Sequence, residues 1–320
     1  MTSPDDQRLV EDYLKNFAIA ADFPLTAQMC KYHWELERRL KRELLASNPE
    51  ARWETFERCY TTLYMELHWL YSGQPPRLTP EQLEAKHGYW RYWIGPPPRS
   101  VYEVGSGRGE LIACLAHLGY ECRATEVTRE RGQRWVDEMP NLTWGTTDGV
   151  HLAQFEPANT YDAVISDQVV EHLHPDDMVE HLRGALQILK PGGRYVFRTP
   201  HVHDGPSDIS RFFGSNTPQG MHLREYTYRE LAARMKEAGF RNVRTRTPRP
   251  RVAYRAAKVA LGEHGVDSLY LRYLCMLESA IRLLPTQAAR RRAAHFGPMP
   301  LRFEPSIVLF GDKAGFSGKA

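Results

Sequence analysis

Val101-Tyr-Glu-Val-Gly-Ser-Gly-Arg-Gly-Glu110 is the stretch that decides the reading of this chain. A short apolar run ends on Glu103 and Val104, glycines follow at 105, 107 and 109, and a helical pattern begins at Glu110. The implied arrangement is strand, tight glycine turn, helix. Glycine reaches φ > 0 without steric cost and lets a ligand approach the main chain. The helix start beyond it offers N–H groups without intrahelical partners. Such a turn suits an adenosine-containing ligand, and the spacing separates two kinds. A dinucleotide turn reads G-x-G-x-x-G. Here Gly109 falls two residues after Gly107, and Glu103 stands two before Gly105. A carboxylate at the mouth of the turn repels a pyrophosphate and attracts a cation.

The 320 residues suffice for one large α/β domain, or for a domain with a smaller appendage. Apolar residues make up 42% and the net charge is +3, so a core is affordable and nothing global calls for nucleic acid. The basic runs at 244–251 and 290–292 read as solvated faces. Five cysteines without a C-x-x-C pair imply reduced thiols and a cytoplasmic setting. The acidic start, with Asp5, Asp6, Glu11 and Asp12, does not fit a signal or transit peptide. No apolar stretch is long enough to span a bilayer, so no membrane partner is expected.

Outward from the glycine turn, strand and helix patterns alternate. Strands are expected at 100–104, 121–126, 141–146, 161–166, 194–198, 241–247 and 306–311, which indicates a parallel sheet with helices on its faces. A helix over 175–189 stops at Lys190-Pro-Gly-Gly193, and another over 227–238 opens with a Thr227/Glu230 capping box and ends at Gly239. Residues 1–95 read as helices rich in aromatics. Asn48-Pro49 and Thr79-Pro80 are candidate helix starts, Thr79 with Gln82 forming a second capping box. Gly95-Pro-Pro-Pro98 breaks any helix, which sets a domain boundary near 95. The division expected is a helical N-terminal lid over 1–95 and a domain over 96–320. A helical insertion at about 252–300 is expected to pack beside the N-terminal helices.

In an open α/β sheet, ligands bind outside the carboxyl ends of the strands. Glu126, with Val127 beside it, ends the second strand, where a carboxylate can accept from both ribose hydroxyls. Asp148-Gly149 follows the third, where a carboxylate can accept from an adenine amine. The fourth leads into Asp167-Gln168-Val-Val-Glu171-His172-Leu173. Taken in order with Leu189-Lys-Pro-Gly-Gly193, these pieces resemble class I S-adenosylmethionine-dependent methyltransferases, in particular the subgroup related to ubiquinone and menaquinone biosynthesis. The resemblance covers roughly residues 85–250 plus the last strand. It implies a Rossmann-like sheet of seven strands, the last one antiparallel. It implies that Glu103, Gly105 and Gly107 line the methionine part of the cofactor, Glu126 the ribose, and Asp148 with Gly149 the adenine, with Ser106, Gly109 and Val127 also in the cofactor site. Asp167 and Gln168 would lie near the methyl donor, and the product would be S-adenosylhomocysteine. The family usually carries Asp where Glu126 stands.

Methyl transfer from a sulfonium is an in-line displacement with an activated leaving group, so the protein mainly positions donor and acceptor. A base is needed only where the acceptor must lose a proton. His172 is the first candidate and His222 the second. His201-Val-His203-Asp204 is a third feature at the same edge of the sheet, and 207–213 fits a substrate-covering loop. Arg211 and Arg224 could hold an acceptor's anionic group, or pair with Asp208 and Glu225. The histidines match no compact metal motif such as H-E-x-x-H, and no metal is expected. The expected activity is methylation of an oxygen or nitrogen on a small biosynthetic molecule. The alternatives are a protein or RNA methyltransferase and a non-catalytic binding member of the fold. Self-association is left open.

Overall fold

The computed structural model describes residues 4–73, 77–127, 130–247, 251–296 and 303–315. Residues 248–250, inside one basic run, and 297–302, at the end of the expected insertion, lie outside the described residues. The chain divides into two compact units, one of Met1–Arg77 with Gly205–Arg224, the other of Leu78–Asp204 with Glu225–Ala320. The division therefore falls before Leu78, and the two helices nearest the triple proline group with the sheet.

The first unit holds α1 (Pro4–Asn16), α2 (Ala27–Ala46) and α3 (Arg52–Glu66). Thr26 caps α2 by accepting from the Met29 N–H. Asn48 accepts from the Ala51 N–H, but α3 begins only at Arg52, one turn later than the Asn-Pro pair implied. Leu36, Leu40 and Leu44 of α2 pack with Tyr13, Trp69 and Leu70. The neighbouring stripe of α2 is polar and buried: His33, Glu37 and Lys41, at i, i+4 and i+8. This stripe holds the 205–224 segment. Glu37 accepts from the Met221 N–H at 3.0 Å, and Lys41 donates to the carbonyls of Pro218 (2.7 Å) and His222 (2.5 Å). Any side chain at Gly220 would collide with Glu37, a Cβ there lying 2.2 Å from Oε2. Buried charges persist only with such partners.

The second unit holds α4 (Pro80–His87), α5 (Arg91–Ile94), β1 (Ser100–Val104), α6 (Glu110–His117), β2 (Glu121–Glu126), α7 (Glu130–Gln133), β3 (Leu142–Thr146), α8 (Leu152–Phe155), β4 (Tyr161–Asp167), α9 (Met178–Ile188), β5 (Leu189–Pro200), α10 (Tyr228–Ala238), β6 (Arg241–Thr245), α11 (Arg251–Arg282), α12 (Gln287–Ala294) and β7 (Ser306–Asp312). The strands form one sheet in the order β3-β2-β1-β4-β5-β7-β6. The pairs among β1 to β5 are parallel, while β7 runs antiparallel to both β5 and β6. Both capping boxes form, at Thr79/Gln82 and Thr227/Glu230. The strand β5 begins at Leu189 rather than 194, running through the Lys-Pro-Gly-Gly segment.

Apolar side chains cover both faces of the sheet. On one, Leu182, Ile188, Leu231 and Met235 of α9 and α10 meet Tyr195, Phe197 and Leu309. On the other, Trp93, Ile94, Ile112 and Leu115 of α5 and α6 meet Val101, Ile165, Val196 and Phe310. In the insertion, α11, kinked at Gly262, belongs to the sheet unit and packs on α10 and β6. Its anchor is Glu278, which accepts from the N–H groups of Tyr228 (2.6 Å) and Arg229 (3.0 Å) at the start of α10 and pairs with His201 Nε2 at 2.9 Å. A carboxylate at a helix N-terminus satisfies donors that have no intrahelical partner. Among the described residues no helix is long and apolar enough to cross a membrane.

Candidate active site

The carboxyl ends of β1, β2 and β4 converge on the glycine turn. Gly105, Gly107 and Gly109 adopt φ of 67°, 55° and 73°, a region that L side chains rarely enter. A Cβ on Gly105 would lie 2.7 Å from Val169 Cγ2, whereas one on Gly107 would meet only Glu126 Oε1, at 4.0 Å. Ser106 ties the turn to β2: its N–H donates to the Thr125 carbonyl (2.8 Å), and its hydroxyl accepts from the Thr125 N–H (3.2 Å). Gly109 caps α6 without a side chain.

Three carboxyl groups lie close together here. Glu103 is 2% exposed and one of its oxygens has no hydrogen-bond partner among the described residues. Burial pushes its carboxyl up to about 8, the charges of Asp167 and Glu126 adding to the shift and a Ser106 hydrogen bond opposing it. Glu126 is buried too. It accepts from the Gly107 N–H at 2.5 Å and from the Val127 N–H at 3.2 Å, and burial raises its pKa against these hydrogen bonds. Asp167 forms a two-pronged pair with Arg198 of β5, at 2.6 and 2.7 Å, and Arg198 also donates to the Tyr89 hydroxyl at 2.9 Å. Gln168 follows at φ 59°, its N–H donating to the Arg198 carbonyl. A non-glycine residue held in this region is a strained turn of the kind found at functional sites.

Asp148 faces its own chain: one oxygen accepts from the Val150 and His151 N–H groups, the other contacts His151 Nδ1 at 2.6 Å. Gly149, at φ 71°, is held from behind by His181, whose Nδ1 meets the Gly149 carbonyl at 2.5 Å while Nε2 contacts the Tyr195 hydroxyl at 2.7 Å. Full burial lowers His181 to about 4, so it is neutral at physiological pH. With Nδ1–H donating to the carbonyl, Nε2 accepts from Tyr195.

The two candidate bases belong to different units of the chain. His172 is half-buried after β4, its N–H donating to the Val169 carbonyl, and the adjacent Glu171 is fully buried with one oxygen accepting from Thr199. His222 belongs to the helical unit, its carbonyl held by Lys41. His201 is taken up by the fold: Nδ1 accepts from the His203 N–H, leaving Nε2–H for Glu278. Arg211 donates to Asn16 rather than pairing with Asp208, which caps the Ser210 and Gly220 N–H groups. Arg198, His181 and Glu278 were not singled out from the sequence. Their only signals are strand register and burial.

Strand order, the antiparallel β7 and a glycine turn with Glu103 at its mouth define a class I methyltransferase sheet. The chain belongs to the methyltransferase-domain family, whose model matches residues 81–245. It is an S-adenosylmethionine-dependent methyltransferase. Among solved structures it is similar to an S-adenosylmethionine-dependent methyltransferase from Archaeoglobus fulgidus, with 18% identity over 74% of this chain and 96% of that one, at a TM-score of 0.46. It is also similar to the 1,6-didemethyltoxoflavin-N1-methyltransferase of Burkholderia thailandensis (14%, 84% and 91%, 0.47). An O-methyltransferase family protein from the same organism gives 14%, 91% and 71%, at 0.47. No curated protein sequence matches.

Proposed function

We propose that the glycine turn and the carboxylates around it hold S-adenosylmethionine, and that the acceptor is a small molecule methylated at oxygen or nitrogen. The observation that carries the cofactor assignment is Glu103: a buried carboxyl oxygen without a hydrogen-bond partner among the described residues, beside a turn with open space at Gly107. Such a group is costly alone and is compensated by a cation. On this reading Glu103 takes the ammonium of the methionine part, the turn of Gly105 to Gly109 lies along it, Glu126 accepts from the ribose, and Asp148 with Gly149 borders the adenine. Bound there, S-adenosylmethionine supplies an activated methyl group. The ion pair of Asp167 with Arg198 keeps the end of β4 rigid, and His172 takes the proton of an acceptor that must lose one.

What supports a compact acceptor is the make-up of the segments after β4 and β5, histidine and aromatic residues without a run of basic ones. A biosynthetic role is supported by the sequence resemblance. The deciding experiment is calorimetric titration with S-adenosylmethionine and, separately, NAD, followed by an acceptor screen read by product mass. NAD binding in place of the sulfonium would refute the assignment, and methylation of protein or RNA alone would refute the small acceptor.

Two substitutions test the roles. Glu126→Ala is expected to weaken cofactor binding by about 1–3 kcal/mol through lost hydrogen bonds, and unchanged affinity removes Glu126 from the site. His172→Ala is expected to lower turnover by about 100-fold, the ordinary scale of general-base catalysis, with cofactor affinity nearly intact. Surviving turnover places the base elsewhere or makes it unnecessary.

A further inference from the structure

Away from the glycine turn, a cavity of about 450 Å³ opens on the face of the sheet where β5, β7 and β6 run side by side. Its aromatic wall is Tyr89, Tyr92 and Trp93 around α5, with Phe310 of β7. Trp93 meets Tyr89 and Phe310 edge-on, with centroids 4.9 and 5.9 Å apart. The lining is also cationic, through Arg194, Arg244 and Arg246. The guanidinium of Arg246 lies 5.9 Å from the Trp93 ring centre, and that of Arg244 lies 5.7 Å from the Phe310 ring centre. Arg194 and Arg244 share one carboxylate, Asp312, at 2.8 Å each. His264 and Asp267 of α11 complete the lining, Asp267 accepting from the N–H and hydroxyl of Thr247.

Charge and shape select the occupant. Three guanidiniums face two carboxylates, which leaves the cavity positive and fit for an anion. Guanidiniums already lying over aromatic rings present flat faces, onto which a planar group stacks. The volume falls within the ordinary range of small-molecule sites. We propose that this cavity binds a planar aromatic monoanion, an aryl carboxylate being its simplest form. The site is independent of the methyl-transfer reading. It does share a wall with it: Tyr89 receives the Arg198 hydrogen bond, and Arg198 holds Asp167.

The test uses the whole protein and three probes of one shape: 2-naphthoate, 2-naphthamide and 2-(aminomethyl)naphthalene, followed by tryptophan fluorescence and calorimetry. Naphthoate is expected to bind about tenfold tighter than the neutral amide, as a charge-assisted hydrogen bond requires, and the amine weakest of the three. Arg246 is exposed, so Arg246→Gln keeps the fold, checked by an unchanged unfolding midpoint. It is expected to cost naphthoate at least about fivefold and leave the amide untouched. Equal affinity for acid and amide, no naphthoate binding at millimolar concentration, or wild-type naphthoate affinity in Arg246→Gln would each overturn the proposal. S-adenosylmethionine affinity, measured alongside, reports separately on the cofactor site.

Discussion

The affinity for S-adenosylmethionine is expected to rise with pH, approaching about tenfold per unit between roughly pH 6 and 7.5. The cause is Glu103. Its carboxyl, ordinarily near 4.5, is raised to about 8 by burial and by the neighbouring charges of Asp167 and Glu126, so the unliganded protein holds it protonated at neutral pH. A cationic ligand pairs only with the charged form, so binding must expel a proton, and affinity climbs until the group ionises unaided. Stability runs the other way. A carboxyl whose folded pKa lies above its unfolded one contributes fully below about pH 4.5, and that contribution is lost as pH rises through about 8. Titrations in two buffers of different ionisation enthalpy count the proton directly. Glu103→Gln should flatten the profile. A flat profile in the unsubstituted protein would remove the carboxyl from contact with the cation.

Glu278→Ala is expected to lower stability by about 3–5 kcal/mol, the scale set by leaving two to three buried donors without acceptors at about 1–3 kcal/mol each. The Tyr228 and Arg229 N–H groups at the start of α10 and the Nε2–H of His201 all depend on this one buried carboxylate. For a chain of this size that corresponds to a fall of about 4–8 °C in unfolding midpoint. Glu278→Gln, which keeps one acceptor oxygen, should recover part of it. Urea unfolding measures both, and an alanine variant within about 1 kcal/mol of the parent would show that α10 is held otherwise.

What could be read from the sequence follows from how local each signal is. The strands β1 and β2 and the capped helices α4 and α10 carry their determinants within a few residues, and they stand where the sequence puts them. The start of β5 does not. Lys190-Pro-Gly-Gly193 reads as a stop, yet the Gly193 carbonyl accepts from the Lys313 N–H and the Gly192 N–H donates to the Lys313 carbonyl, partners 120 residues away. The carboxylates at the strand ends were legible because each follows its strand at once. Their prior engagements were not. That Asp167 meets Arg198 is decided by the register of β4 on β5, and that His201 belongs to Glu278 is decided by how α11 docks.

The 205–224 segment lies in the chain between β5 and α10 but is gripped by the polar stripe of α2. The polypeptide therefore passes between the two units three times, at residues 77, 204 and 224. The helical unit is thus an interlocked part rather than a cassette. Recombination that exchanged the first 77 residues alone would bring a foreign α2 against a resident Gly220, where any mismatch with Glu37 and Lys41 strands a buried charge. Inheritance of the two segments is coupled, and variation in one constrains the other across more than 170 positions of sequence.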